Sequence, residues 1–133
     1  MNEQDALFVY GTLMPGHLRW PVLAPHALDQ RTATVPGTLY DTGRGWPAAV
    51  FGTTADRRRV PGWVVWFPAG TLAVMLPDLD EMEGIGPVPD AAVDPYVRIR
   101  VPVDSVTEAW AWHATHRHSS WRLIEAWIDQ SEQ

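Results

Sequence analysis

The chain has 133 residues, a formal net charge of −6 and no cysteine. Its length suits one domain with one core, and a hydrophobic content of 46% excludes disorder along the whole chain. The negative charge disfavours nucleic acid and anionic membranes as partners, while the absence of cysteine removes disulfides, thiol nucleophiles and cysteine metal ligands. We therefore expect a single domain over residues 1–133 that binds neither nucleic acid nor anionic membranes.

The N-terminal segment and the length of the apolar runs indicate where in the cell the protein is expected. The segment Met1 to Asp5 carries acids and no basic residue, unlike a secretory signal. No apolar run reaches the roughly 18 residues needed to span a bilayer. We expect a cytoplasmic protein that does not bind membranes, as a monomer or a homodimer.

Short apolar segments between turn residues predict that strands outnumber helices. A helical turn over residues 17–20, ended near Pro21, is expected between the first two strands. The fourth predicted strand is strongly apolar and long enough to be central. The strands are expected at Ala6–Tyr10, Leu28–Val35 with Thr38–Tyr40 after a turn or bulge at Pro36-Gly37, Ala48–Phe51, Val60–Phe67, Tyr96–Val103 and Glu108–Ala114.

One helical segment contains a proline. Apolar residues recur at helical spacing between Leu72 and Met82 and form one apolar face. Because Pro77 lacks a backbone donor, the pattern predicts two pieces, Thr71–Leu76 and Pro77–Met82. Gly84 suits the left-handed residue just past the helix end.

A second helix is predicted near the C-terminus. Ser119 and Ser120 can cap a helix over Trp121–Asp129. Its apolar residues share one face at helical spacing.

The loop after the first strand is a candidate binding site. It reads Tyr10-Gly11-Thr12-Leu13. Gly11 has no Cβ, so a ligand can approach the backbone closely. The N–H groups that follow a strand end can point at an anion or a carbonyl oxygen. The same pattern also fits an ordinary loop after a buried strand.

Five motifs occur in a fixed order along the chain, and together they resemble the γ-glutamylcyclotransferase-like family, which includes AIG2-like proteins and γ-glutamylamine cyclotransferases. The resemblance covers roughly residues 6 to 114 and implies an α+β fold, a small and mostly antiparallel β-barrel with flanking helices. The motifs are Tyr10-Gly11-Thr12-Leu13, Gly37-Thr38-Leu39-Tyr40-Asp41 followed by Gly45-Trp46-Pro47-Ala48-Ala49-Val50, Val60-Pro61-Gly62-Trp63-Val64, Leu79-Asp80-Glu81-Met82-Glu83-Gly84 and Tyr96–Val103.

The resemblance implies an enzyme that releases 5-oxoproline from a γ-glutamyl substrate, with no metal and no organic cofactor. Glu83 matches the catalytic acid of the family motif and would act as general acid and base. The loop residues Tyr10, Gly11, Thr12 and Leu13 would bind the γ-glutamyl group. Tyr96 is a wall of the site or a hydroxyl donor, unless it only packs.

Helix electrostatics support the assignment of Glu83 independently. A carboxylate in the last turn of a helix faces the negative end of the helix dipole, which disfavours its charge. Burial against an apolar wall would raise its pKa further. The alternative is an exposed acid at a helix end, which is the usual fate of such residues.

Other readings of the sequence stay open. His113, His116 and His118 have loose spacing for zinc and equally fit a polar loop, so no metal site is assigned. A non-catalytic binding protein of the same fold, or an interaction module with exposed tryptophans, are the rival functions. The leaving group is open among an amino acid, a lysine-type amine, the dipeptide of glutathione and a specialised metabolite. The proline-rich segment Ile85 to Pro95 is expected at the rim of the pocket.

Overall fold

The strands form a nearly closed barrel from one mixed sheet, with two short helices against it. The computed structural model describes residues 4–86, 90, 94–104 and 107–128. In chain order the elements are β1 Gln4–Val9, α1 Trp20–Leu23, a 3-10 turn Ala24–His26, β2 Asp29–Asp41, β3 Pro47–Phe51, β4 Arg59–Pro68, α2 Thr71–Met82, β5 Tyr96–Pro102, β6 Glu108–Ala114 and β7 Arg122–Ile124.

The sheet order is β3-β2-β4-β1-β6-β5, with β7 paired to β2. Neighbouring strands are antiparallel except for the parallel pair β1 and β6. The mostly antiparallel barrel with flanking helices is therefore confirmed. Strand β4 lies between β1 and β2, as its apolar sequence predicted.

Strand β2 bends at Pro36 and Gly37, and its pairing partner changes there. Residues 29–36 pair with β4, whereas residues 37–41 pair with β3. A Cβ on Gly37 would lie 2.7 Å from the backbone oxygen of Val50, so only glycine permits this close approach. The predicted turn or bulge is thus a bend within one long strand.

Side-chain and backbone hydrogen bonds close the barrel beside β3. The backbone N–H of Phe51 donates to Nδ1 of His113 on β6 at 3.0 Å. The hydroxyl of Tyr96 on β5 donates to the carbonyl oxygen of Pro47 at 3.1 Å. The interior is apolar, and its largest fully buried side chains include Phe8, Phe67, Leu7, Leu23, Leu39, Leu72 and Leu79.

Helix α2 is continuous, so the predicted division at Pro77 is wrong. Pro77 and Ala73, the residue whose carbonyl loses its partner, are both exposed. Water can hydrate that carbonyl. Leu72, Leu76 and Leu79 are buried on one face across the proline. Their packing against the barrel holds the two halves in line.

The predicted C-terminal helix is also wrong in the described residues. Residues 122–124 form β7, which pairs with the end of β2, and residues 125–128 have no helical structure. Arg122 also forms an ion pair with Asp41 on β2 at 3.0 Å. Trp127 is 4% exposed and belongs to the core. Residues 122–124 pair with the open edge of β2, and helical periodicity could not predict this long-range pairing.

Helix α1 begins where the sequence predicted a helical turn to end. Pro21 lies in its first turn, where the fixed φ angle and missing donor of proline are tolerated. No helix in the described ranges is long and apolar enough to cross a membrane.

Candidate active site

One cavity of about 710 Å³ brings together all six predicted site residues. It lies between the loop after β1, the loop from β2 to β3, the end of α2 and the start of β5. The six residues at its wall are Tyr10, Gly11, Thr12, Leu13, Glu83 and Tyr96.

The loop after β1 is held by its carbonyl groups. The oxygen of Gly11 accepts from the N–H of Met14 at 3.1 Å, and that of Thr12 accepts from the N–H of Arg19 at 2.7 Å. The N–H groups of Gly11, Thr12 and Leu13 have no hydrogen-bond partner among the residues that the structure describes. Three neighbouring donors at the cavity are thus available to an oxygen atom of a ligand.

Gly11 is needed for packing inside the protein. A Cβ at this position would lie 2.8 Å from Cγ and 2.9 Å from Cδ of Pro47. The space beside the Gly11 Cα, which we expected a ligand to approach, is therefore filled by the proline ring. The close contact sets the loop directly against the start of β3.

Glu83 is the C-cap residue of α2. Gly84 follows in the left-handed conformation with φ 84°. The N–H of Gly84 donates to Glu81 O, and the N–H of Ile85 donates to Asp80 O, both at 3.0 Å. These two bonds form a Schellman motif, which fixes the backbone at Glu83. The prediction for Gly84 is confirmed.

The carboxyl group of Glu83 has no hydrogen-bond or ion-pair partner within the described part of the chain. Burial raises its pKa from 4.5 to about 7, the nearby charge of Arg19 opposes this rise, and the carboxylate of Asp80 adds to it. The residue is only partly exposed. Glu83 is therefore not the solvated acid that usually ends a helix.

Two tyrosines form an inner wall of the cavity. The hydroxyl of Tyr10 donates to the carbonyl oxygen of Trp112 at 2.5 Å, and Tyr96 donates to Pro47 as described above. Burial raises the pKa of each hydroxyl, so both stay protonated. Because each hydroxyl proton is engaged within the protein, Tyr96 serves here as a fixed wall of the cavity, and its oxygen also interacts with the side chain of Trp46.

Asp80 links the elements that form the site. Its Oδ1 accepts from Nε of Arg98 at 3.0 Å and from Nε1 of Trp112 at 2.9 Å. Trp112 is the residue whose carbonyl also holds Tyr10. Asp80 thus joins the end of α2 to β5, β6 and the loop after β1. The sequence indicated only that Asp80 could orient nearby backbone, since its partners are distant along the chain.

Asp94 was not identified from sequence, and it organises the segment after Glu83. Its side chain is buried and accepts from the N–H groups of Gly86 at 3.2 Å and Asp90 at 3.0 Å. Pro95 lines the cavity, as expected for the end of this segment. Residues 87–89 and 91–93 of the predicted rim lie outside the described residues.

The three histidines considered as zinc ligands do not form one cluster. His113 accepts from Phe51 in the barrel wall, whereas His116 and His118 line the cavity. In the described ranges no three His, Cys, Asp or Glu side chains converge as metal ligands would. The polar-loop reading fits His116 and His118.

Sequence reasoning also missed two arginines, Arg19 and Arg44, at the cavity. Each comes from a loop, and neither belongs to a recognisable motif. Trp46 and Trp121 also line this cavity. No local signal could have assigned these side chains to one site.

Comparisons with known proteins agree with this architecture. Among solved structures, an AIG2-like protein from Mus musculus matches with a TM-score of 0.69 at 15% identity, covering 96% of this chain and 90% of that one. An uncharacterized protein from Pyrococcus horikoshii matches with a TM-score of 0.60 at 18% identity, covering 91% and 86%. YkqA from Bacillus subtilis matches with a TM-score of 0.62 at 22% identity, covering 93% of this chain and 39% of that one. These likenesses show a shared fold.

Sequence comparison identifies the family. None of the curated proteins matches the chain. The family model described as gamma-glutamyl cyclotransferase, AIG2-like, matches residues 7–128, nearly the whole chain. The protein therefore belongs to the γ-glutamyl cyclotransferase, AIG2-like family.

Proposed function

We propose that the protein is a γ-glutamyl cyclotransferase-type enzyme that releases 5-oxoproline from a γ-glutamyl amine, peptide or metabolite. The observation that carries the proposal is the environment of Glu83. Its carboxyl group has no partner within the described residues, has a pKa of about 7 and shares a cavity with the unpaired amides of the loop after β1. A base and a set of oxyanion donors in one cavity are what cyclisation requires.

The first step is proton transfer. The α-ammonium group of the substrate gives a proton to the Glu83 carboxylate, and the freed amine attacks the γ-carbonyl carbon. A base with a pKa of about 7 is much better matched to an ammonium group than an ordinary glutamate is. Because the attack is intramolecular, the substrate itself brings the two reacting groups together.

The second step breaks the bond to the leaving amine. Attack forms the new C–N bond and places negative charge on the γ-carbonyl oxygen. The N–H groups of Gly11, Thr12 and Leu13 are the donors for that oxyanion or for the α-carboxylate. Glu83 then returns its proton to the leaving nitrogen and the old C–N bond breaks. The ring nitrogen gives up its second proton, by way of Glu83, to the released amine, so that 5-oxoproline and a protonated amine remain. One carboxyl group thus serves both transfers.

The test is a panel of γ-glutamyl compounds with different leaving groups, assayed for both 5-oxoproline and free glutamate. We expect 5-oxoproline with an equal amount of released amine, because the internal amine attacks faster than water. Free glutamate as the product would identify a hydrolase and contradict the cyclisation. A matched sample of Glu83→Gln controls for contaminating activity.

The same panel separates the enzyme from a non-catalytic binding protein of the same fold. Tryptophans line the cavity, so their fluorescence should respond to bound ligand. Binding of γ-glutamyl compounds without any 5-oxoproline release would favour the binding protein and overturn the enzyme.

A further inference from the structure

The cavity has the opposite charge balance from the whole protein. The chain carries a net charge of −6. Yet Glu83 is the one acid that lines the cavity among the described residues, whereas Arg19, Arg44, His116 and His118 also line it. A partly enclosed site with an excess of cationic groups concentrates anions.

Most arginines outside the cavity have partners among the described residues. Within the described residues, the side chains of Arg19, Arg44 and Arg57 lack a direct ionic, hydrogen-bonding or aromatic partner, and the first two line the cavity. The partnered arginines are Arg31, Arg58, Arg59, Arg98, Arg100, Arg117 and Arg122. Because the charge of Arg19 acts on Glu83, Arg44 is the cavity guanidinium group that is free to bind an anion from outside.

The loop that carries Arg44 is well fixed. The hydroxyl of Thr42 donates to Trp46 O at 2.7 Å and accepts from the N–H of Arg44 at 3.3 Å. The N–H of Gly43 donates to Oδ1 of Asp41 at 2.8 Å. The backbone of Arg44 is thus held at the cavity, and the order of this loop does not depend on any ion pair of Arg44.

The two arginines differ in their relation to the reacting centre. Arg19 is bonded through its backbone to Thr12 of the amide-bearing loop, and its charge acts on Glu83. Arg44 is not among the charges that act on Glu83, and it lies beside Trp46, which is 44% exposed. Arg19 is therefore near the γ-glutamyl part of a substrate, whereas Arg44 lies farther out, where the leaving group must extend.

We propose that Arg44 binds a carboxylate on the leaving group, so that the preferred substrates are γ-glutamyl amino acids and not γ-glutamyl diamines. This inference rests on the proposed function for the position of the γ-glutamyl group. A planar guanidinium with several donors is suited to a carboxylate. A diamine would bring a second cation towards Arg44 and Arg19 and would be repelled.

The test compares leaving groups of matched shape and different charge. The compounds are γ-glutamylalanine, γ-glutamylalaninamide and γ-glutamyl-1,3-diaminopropane. Alanine and alaninamide differ in one group, a carboxylate against a neutral amide. In the wild type we expect kcat/KM for γ-glutamylalanine to exceed that for the amide by about tenfold, the value of a partly exposed charge-assisted contact. The diamine compound should be the poorest of the three.

Single arginine substitutions show which residue sets the preference for a carboxylate on the leaving group. Arg44→Gln should reduce the ratio of the two kcat/KM values by about tenfold. Arg19→Gln should lower both values and leave their ratio unchanged, because both compounds share the γ-glutamyl part. Arg57→Gln is the matched control, since Arg57 is another arginine without a partner in the described residues and lies outside the cavity. It should change neither value.

A binding measurement keeps this test separate from the test of catalysis. Affinities of the three compounds are measured by tryptophan fluorescence for Glu83→Gln with and without Arg44→Gln. A preference for the alanine compound that Arg44→Gln removes would support the inference even if no 5-oxoproline formed, in which case only the proposed function would fail. Equal affinities for the alanine and alaninamide compounds, or a preference that survives Arg44→Gln, would overturn the inference.

Discussion

Two carboxylates three residues apart at the end of α2 have different environments. Asp80 is bound by Arg98 and by the indole of Trp112. Glu83 has no such partner among the described residues and lines the cavity. Both belong to one helix end and one sequence motif, and the negative end of the helix dipole affects both.

The difference lies in what each residue faces. Asp80 faces β5 and β6, whose cation and indole donor satisfy its charge. Glu83, at the C-cap, faces the cavity, where burial raises its pKa to about 7. A satisfied carboxylate holds structure together, and an unsatisfied one can exchange a proton. We therefore propose that Asp80 is a positioning residue and that Glu83 is the residue that transfers protons.

The largest expected effect is on turnover, in Glu83→Gln. Glutamine keeps the size of the side chain but cannot carry the proton. General acid–base catalysis contributes roughly 10²–10⁴-fold, and in the proposed mechanism one residue performs both transfers, so turnover should fall at least that far. The measurement is the rate of 5-oxoproline release, with a thermal melt and substrate affinity as controls for folding and binding. A folded variant that keeps more than about a tenth of the wild-type rate would show that Glu83 is not the proton shuttle.

Asp80→Asn should show the reverse pattern, with a larger effect on stability than on turnover. Loss of the carboxylate leaves the partly buried Arg98 without its ion-pair partner. We expect a loss of about 1–3 kcal/mol in the free energy of unfolding, measured by urea denaturation.

Asp80→Asn should also change the pH dependence of the proposed reaction. Because the charge of Asp80 raises the pKa of Glu83, its removal should shift the acid limb of the kcat/KM profile to lower pH. Unchanged stability together with abolished turnover would reverse the roles that we assign to the two acids.

Whether the sequence could predict this contrast between Asp80 and Glu83 depended on how far apart along the chain the interacting residues lie. The apolar strands, the amide-bearing loop, Glu83 and Gly84 all have local signals, because strand periodicity and helix-end chemistry act over a few residues. The partners of Asp80 lie on strands 18 and 32 residues farther along the chain. Such pairings are set by the barrel, so the local pattern alone could not distinguish the bound acid from the free one, and Glu83 is assigned through the family motif.

The errors in secondary structure have the same origin. Pro77 breaks a local helix rule, but buried leucines on both sides of it keep α2 continuous. The segment after Trp121 has helical periodicity, but the free edge of β2 makes it a strand. In both cases tertiary contacts outweighed a local preference.

The smallest expected effect concerns His113, whose neutral ring accepts from Phe51. Burial lowers its folded pKa below the ordinary 6.5, so its contribution to stability is present above that value and lost as pH falls through the folded pKa. Glu83 acts oppositely, because its raised pKa favours folding below 4.5 and this contribution is lost as pH rises through about 7.

The two pH effects can be separated by substitution. His113→Leu should cost about 1 kcal/mol at pH 8 through the unpaired Phe51 amide, and it should flatten the loss of stability below pH 6.5. Glu83→Gln should remove the opposite trend between pH 4.5 and 7. Urea denaturation across this range measures both, and identical profiles for the wild type and His113→Leu would exclude the role of His113.

The most direct test of the central claim, that Glu83 is poised to exchange a proton, is a carbon-13 NMR titration of its carboxyl carbon. The resonance is assigned by its absence in Glu83→Gln. We predict a midpoint of about 7 and the same midpoint on the acid limb of the kcat/KM profile for 5-oxoproline release. A midpoint near 4.5, the ordinary value for glutamate, would contradict the claim.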